Sequence, residues 1–530
     1  ASHVLTQTVD GLRKAGVRMT ELHLEPLTLE EVRRFVTDAL PGAGDEVLES
    51  LPVLALEKTG GNPFFLQQFL LTLHQDGLLV RLPRGAWRWD AAASRARGYS
   101  DNVVDFMAGK LRQLSLGTQH LLRLAACAGN SFSLEMLRLI SHMEDASEVS
   151  RGLEPALQEG MLMRTGPGEH YRFLHDRIQQ AAHALIPEPQ RKAVHLRIGR
   201  LLLEHLPPES VQEQLFDIVS HLNAGAELID EPAERLRLAR LNAKAGRNAK
   251  ATTAFRSAAT YLATAYQLIP GDPWEADAEL AFRIQLDRAT CEFMSGKAAE
   301  ARRLVEELRP RARTRTDTAA VYRLKSSIHV TASEVQAAID SLVECLGQMG
   351  IPMSASPSWD EVLAASAEVW ALMGERSIES LIELPRMTDP DIEAAMSVLG
   401  AMFAPAYFTN TKLLIVNLCR MVCLSIRHGN NASSAHGYAW YGVVLGPTFK
   451  RYREAHAFGQ LAWAIVERYD LSAIRGRILY IQEVINNWTQ PLADNLELVR
   501  RGFHHSIQAS EHQIASFCCS HIVSLRLSLG

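Results

Sequence analysis

Across 530 residues the chain has no stretch of the form Gly-x-x-x-x-Gly-Lys-Ser/Thr, so it holds no phosphate loop of the usual kind. His-Glu-x-x-His, Gly-x-Ser-x-Gly and Cys-x-x-Cys are missing too, which excludes the zinc-peptidase, nucleophile-elbow and dithiol chemistries that those patterns support. The nearest match to a phosphate loop, Ser295-Gly296-Lys297-Ala298, lacks the first glycine and the final hydroxyl, and is expected between two helices of a repeat. No apolar strand ends in an aspartate placed to hold magnesium. The 19 histidines include none grouped with carboxylates at metal-ligand spacing. By its own residues the chain has no complete active site, and neither a catalytic residue nor a metal ligand is expected.

Charge and sulfur are also in short supply. A formal net charge of −5, from 55 basic and 60 acidic residues, gives no field suited to phosphate backbones, so no nucleic-acid partner is expected. Seven cysteines, an odd number without a framework pattern, suit a reducing cytoplasm. Cys419 and Cys423, four apart, and the adjacent Cys518 and Cys519 are expected to be small buried positions. No apolar run approaches the ~20 residues of a membrane span, and no secretory signal opens the chain, so a cytoplasmic location is expected. The first residue is Ala rather than Met, and a fragment is the expectation.

What is present is ample core: 47% of residues are apolar and 22% charged, over a length that suggests two to four units. Residues 1–98 open with a helix-like stretch, Val4 to Ala15, and a short strand, Met19 to Leu24. Thr28-Leu29-Glu30-Glu31 is a capping box for a helix that runs to about Leu40. A second helix covers Glu46 to Lys58. Thr59-Gly60-Gly61-Asn62-Pro63 then turns into a third, with Asn62 as cap and Pro63 at the first helical position, ending near His74. Such an exposed helix N-terminus suits an anionic or nucleotide ligand. A hairpin around Pro83-Arg84-Gly85 comes next, with Trp87 and Trp89 on one face. One strand with three or four helices is the tail of something larger.

Residues 99–187 change rhythm. Helices are expected at about 101–114, 117–128, 133–142 and 146–159, then strands Met161–Thr165 and His170–Leu174 around Gly166-Pro167-Gly168. A last helix, Asp176–Leu185, is expected to have Asp176 as its cap. That order reads as a winged helix. From 188 to 530 the chain is helical almost throughout, broken at Pro207-Pro208, Pro270 to Pro273, Gly350 to Pro352 and Ser356 to Ser358. Small and large residues alternate as in paired-helix repeats, for instance from Tyr438-Ala439-Trp440-Tyr441 to Gly459-Gln460-Leu461-Ala462. The irregular period suggests an α-solenoid of TPR-like helix pairs; a generic helical bundle is the plainer reading. Core packing is the expected use of Trp370, Trp440, Trp463 and Trp488.

Two short stretches, Gly61-Asn62-Pro63 and Leu174-His175-Asp176, resemble the paired nucleotide sensors of STAND-class regulatory NTPases, a branch of the AAA+-like P-loop proteins that includes NLR receptors. In that class a Gly-x-Pro turn in the helical lid faces the adenine, and a Met-His-Asp motif in the winged helix sets its His against the β-phosphate of ADP. The resemblance therefore implies that Gly61, Asn62, Pro63 and His175 bind ATP or ADP, with Leu174 replacing the usual Met. Much of the chain also resembles the ATPase-plus-repeat region of very large bacterial signalling proteins that carry a Ser/Thr kinase before it and GAF and histidine-kinase domains behind. This likeness rests on Ala15-Gly16-Val17 through Leu27, Gly60 to Phe65, Phe173 to Ala182, Leu241 to Gly246, His428-Gly429-Asn430, and Trp488 with Pro491. It implies an incomplete NTPase core and lid over 1–98, a winged helix over 99–187 and repeats over 188–530. Phosphate loop and magnesium would belong to the intact parent, an ATP-binding protein kinase.

The function this implies is a nucleotide-dependent regulatory segment of a signal-transduction kinase, with a protein partner on the helical repeats. Alternatives are a helical scaffold without a nucleotide role and a LuxR-like ATP-dependent transcription regulator. Against the last, residues 146–160 carry Arg151 as their only basic residue among Glu148, Glu154 and Glu159.

Overall fold

The computed structural model describes residues 20, 24–83, 85–96, 103–165 and 169–530. The expected helix Val4–Ala15, most of the expected strand Met19–Leu24 and the turn Gly166-Pro167-Gly168 lie outside them. The protein is mainly α-helical and packs as two compact units, Ala1–Asp230 and Glu231–Gly530.

The first unit holds every strand found among the described residues. Its first helix, α1 (Leu29–Ala39), starts at the expected capping box: Thr28 Oγ1 accepts from the Glu31 amide, and the Glu31 carboxylate accepts from the Thr28 amide at 2.8 Å. Helix α2 (Asp45–Thr59) ends at Gly60, in the left-handed conformation that glycine adopts without steric cost. Helix α3 (Pro63–Gln75) leads into the antiparallel hairpin β1 (Leu79–Arg81) and β2 (Trp87–Trp89), then α4 (Ala91–Ala96). Trp87 and Trp89 share a half-buried face, with Arg88 exposed between them. The Trp89 indole N–H donates to Ser94 Oγ at 2.9 Å.

Helices α5 (Val103–Gln113) and α6 (Leu116–Ala128) come next, then β3 (Ser131–Ser133), α7 (Leu134–Ser141) and α8 (Ala146–Gln158). Strands β4 (Leu162–Arg164) and β5 (His170–Phe173) complete an antiparallel sheet of order β3-β5-β4, with Phe132 opposite Tyr171 and Leu162 opposite Phe173. Strand β3 is absent from the sequence expectations. Ser-Phe-Ser is too short to display a period of two, and β5 creates the strand by pairing with it. Helix α9 (Asp176–Ala184) packs on α5 and α6. Helices α10 (Glu188–His205), α11 (Pro208–Glu213) and α12 (Leu215–Ala224) close this unit, so the first helices past residue 187 pack with the elements that precede them.

The second unit is helical throughout its described elements, from Pro232–Ala251 to His512–Leu529, and most helices pack on their neighbours in sequence, as in a stacked array. Gly296, at φ +83°, turns the chain between Ala278–Met294 and Ala298–Leu308, which places Ser295-Gly296-Lys297 between two helices. An apolar cluster running from Ala319 to Ile485 forms much of the core of this unit, with further clusters around Leu304 and Val321 and around Val499 and Cys518. Trp440 lies inside it, Trp370 and Trp463 pack on it, and Trp488 is 63% exposed, contrary to a core role. Cys419, Cys423 and Cys518 are buried as expected, but Cys519 is exposed because its neighbour takes the inward helical position. Helix Pro390–Thr409 is long and apolar enough to cross a membrane by length and composition, and here its Val398, Leu399 and Met402 are core residues.

Candidate functional site

The Gly60-Gly61-Asn62-Pro63 turn is built by three local demands. Gly61 has φ +73°, and a Cβ there would stand 2.3 Å from the Leu27 carbonyl oxygen, so only glycine fits beneath the strap before α1. The strap is tied down by the Leu27 N–H, which donates to the Gly61 carbonyl at 2.8 Å. Asn62 Oδ1 accepts from the Phe65 amide at 3.0 Å and caps α3. Pro63 sits at the first helical position with its ring exposed.

Phe64 and Phe65 then point to different neighbours. Phe65 is fully buried and meets Phe106 of α5 at 4.9 Å between ring centroids. The half-buried Phe64 stacks on the imidazole of His175, with centroids 4.3 Å apart and planes 18° from parallel. The residue beside Pro63 is therefore in face contact with the histidine of the second motif, which lies 112 positions beyond Pro63.

His175, not Asp176, caps α9. It has an extended backbone, and its Nδ1 accepts from the Arg177 amide at 3.1 Å. Asp176 takes the first helical position, where its exposed carboxylate faces the positive end of the helix. An imidazole that accepts at Nδ1 carries its proton on Nε2 when neutral, so the free edge of the ring is a donor. Leu174 is largely exposed.

Polar side chains make further contacts between α3 and the later elements of the unit. Lys110 Nζ, on α5 and almost fully buried, donates to the equally buried Gln68 Oε1 at 3.3 Å. Burial pushes the lysine below its ordinary range, while Glu159 and Asp76 act in the opposite sense. Gln75 Nε2 donates to the Glu159 carboxylate, just past α8, at 3.0 Å. The glycine turn and helix α3 thus meet α5, the residue past α8 and the start of α9 through named side chains, and α3 also buries Leu66, Phe69 and Leu73.

In the second unit, a cavity of about 350 Å³ is walled by Phe403, Tyr407, Trp440, Tyr480 and Phe517, with His436 and Arg477 at its polar edge. Nδ1 of His436 is shut off from solvent and has no hydrogen-bond partner among the described residues. Burial, with Arg477 nearby, pushes this histidine down to about 3. A pocket with aromatic walls and one unpartnered imidazole nitrogen suits a planar apolar group carrying a single polar atom. Nothing in the sequence pointed to it, because its walls come from residues more than a hundred positions apart.

No family model matches the chain. In sequence it is 25% identical, over 587 aligned positions, to hybrid signal transduction histidine kinase G of Dictyostelium discoideum. That similarity takes in 96% of this chain and 17% of the relative, so the chain spans less than a fifth of the protein it matches. The crystal structure of a signal transduction ATPase with numerous domains, bearing a tetratricopeptide repeat sensor, from Pyrococcus horikoshii aligns with 96% of this chain and 71% of its own. The identity there is 12% and the TM-score 0.38. In sequence, then, this chain is similar to a stretch of a signalling kinase.

Proposed function

We propose that this chain is a regulatory segment of a signal-transduction protein, in which the Gly61-Asn62-Pro63 turn and His175 are two halves of one nucleotide sensor. The observation that carries the proposal is the Phe64–His175 stack, which brings both motifs to one place in the fold. Pro63 offers an exposed ring to a base. His175 offers an Nε2 donor to a phosphate oxygen. In this reading residues 1–98 are the end of an NTPase core with its lid, and residues 99–187 are a winged helix. The helical array is the sensor surface, where a protein partner docks. Phosphate loop and magnesium belong to the parent's nucleotide core.

With ADP bound, His175 donates to the β-phosphate and keeps α9 beside the lid. Exchange for ATP removes that bond and releases α9. A charge-assisted hydrogen bond contributes about 1.5–3 kcal/mol, enough to tilt a two-state equilibrium by roughly 10- to 100-fold. The test is ADP affinity of the full-length parent against His175→Ala and Phe64→Ala. His175→Ala should weaken ADP by about tenfold or more while leaving ATP within about twofold. Equal affinities in parent and His175→Ala would end the proposal.

A further inference from the structure

Below the sensor, four helices of the first unit converge on a sulfur and three imidazoles. Cys127 is in the last turn of α6, His183 in the last turn of α9, His195 on α10 and His221 on α12. Ligand atoms of Cys127, His183 and His195 all lie within 4.8 Å of one another. His195 Nδ1 is 2.9 Å from His221 Nδ1, so one ring donates to the other. Cys127 and His221 are buried, and the other two are half-buried.

Specific packing assembles this group. Helices α10 and α12 approach closely because Gly199 lies against Leu222 and Gly225 against Leu196; a Cβ on either glycine would stand 2.6 Å from the facing leucine. Those contacts flank His195 and His221 in register. On the other side, Gln179 Nε2 donates to the Ala126 carbonyl at 3.0 Å, tying α9 to α6 beside Cys127. His183, one turn after Gln179, shares its helix face.

We propose that Cys127, His183 and His195 form a binding site for a zinc-like divalent cation, with His221 orienting His195. Thiolate plus imidazole is the donor set of tetrahedral zinc, whose ligand atoms stand about 3.3–3.6 Å apart by its bond lengths. With the three donors closed from within 4.8 Å to that spacing, water would complete the tetrahedron. When His221 Nδ1 accepts, His195 carries its proton on Nδ1 and turns Nε2 to the cation, the arrangement in which an outer partner fixes a ligand's tautomer. Burial holds His183 and His195 below their ordinary values, so both present lone pairs at neutral pH. The buried thiol, pushed up to about 11, releases its proton to the solvent when sulfur binds the cation. The Arg191 guanidinium acts on both Cys127 and His183 and favours the thiolate. A bound cation would staple α9, the helix that starts at His175, to α6 and α10.

The test titrates the metal-free chain with Zn²⁺ and, separately, with Co²⁺. One equivalent of zinc should bind and raise the melting temperature. Cobalt should give visible bands of tetrahedral strength and a near-ultraviolet thiolate-to-cobalt charge-transfer band. Cys127→Ser should abolish the charge-transfer band, and Cys519→Ser, at the exposed cysteine, should leave it intact. His221→Ala should keep the band and weaken zinc by roughly 10- to 100-fold, as loss of an outer partner does. Absence of stoichiometric zinc binding to the wild-type chain, or a charge-transfer band that survives Cys127→Ser, would overturn the proposal. Both readouts are independent of nucleotide, so they stand or fall apart from the sensor.

Discussion

The two units differ in the contacts that join their helices. In the second, the cluster from Ala319 to Ile485 is continuous, with Phe458 against Tyr438, Tyr441 and Trp370 near its middle. In the first, α3 buries Leu66, Phe69 and Leu73 and also reaches α5, Glu159 and His175 through an aromatic pair, a ring stack and two side-chain hydrogen bonds. A continuous core resists local change, because removing any member leaves a cavity that close-packed neighbours cannot fill. Individual contacts can be exchanged one at a time. The half-buried and polar contacts of the first unit can therefore be removed singly at less cost than the aromatic centre of the second.

The largest expected effect comes from breaking the continuous core. Phe458→Ala should cost the second unit about 3–5 kcal/mol. Denaturant unfolding followed by fluorescence and by hydrogen exchange should show that unit's transition moving and the first unit's staying in place. Equal movement of both would show that the units unfold as one and would remove the contrast.

A smaller effect is expected at the buried amine. Gln68→Leu leaves Lys110 without its acceptor and should cost about 1–3 kcal/mol, whereas Lys110→Met removes the desolvated charge and should change stability by less than about 1 kcal/mol. Chemical denaturation of both variants checks the asymmetry, which a purely apolar seam between α3 and α5 would not show.

The two glycines of the turn before α3 should differ. At Gly61 positive φ and the Leu27 carbonyl act together, so Gly61→Ala should cost more than the roughly 1–2 kcal/mol that left-handed backbone alone imposes. Gly60, at φ +57° with open space around its Cβ, should pay only the conformational part. Exchange of the Leu27 amide should accelerate in Gly61→Ala and not in Gly60→Ala.

Effects of pH on the second unit come from two histidines. His436, packed against Phe403 and Trp440 with Arg477 nearby, has a folded value below its unfolded one. Its contribution is complete above about 6.5 and is lost as pH falls from there towards 3. His521 runs the other way: the Glu483 carboxylate, 2.7 Å from its Nδ1, holds it above the ordinary value. That contribution is complete below about 6.5 and is lost as pH rises through the raised value. Melting temperatures from pH 4 to 9 should lose their acid-side fall in His436→Gln and their alkaline-side fall in His521→Gln.

Local signals in the chain predict local structure well. Thr28 with Glu31, Asn62 with Pro63, and Gly60 after Thr59 each satisfy backbone groups within a few residues, so the boundaries of α1 to α3 are legible. The cap of α9 is an exception. Local preference points to Asp176, whereas a histidine caps only when its ring turns back on its own backbone, a choice that the Phe64 stack favours. Strand β3, the exposure of Trp488 and the aromatic cavity depend on partners far along the chain, and short-range pattern carries no trace of them.

The residues by themselves determined that this is a helical protein with one glycine-rich turn, one Leu-His-Asp step and no phosphate loop. Helix periods, caps and motifs are properties of adjacent positions. Only the tertiary structure decided that Phe64 lies on His175, and that Cys127, His183, His195 and His221 share one place. Such meetings are set by which helix faces bury together and by glycines small enough to let backbones close, and both appear only once the chain has folded.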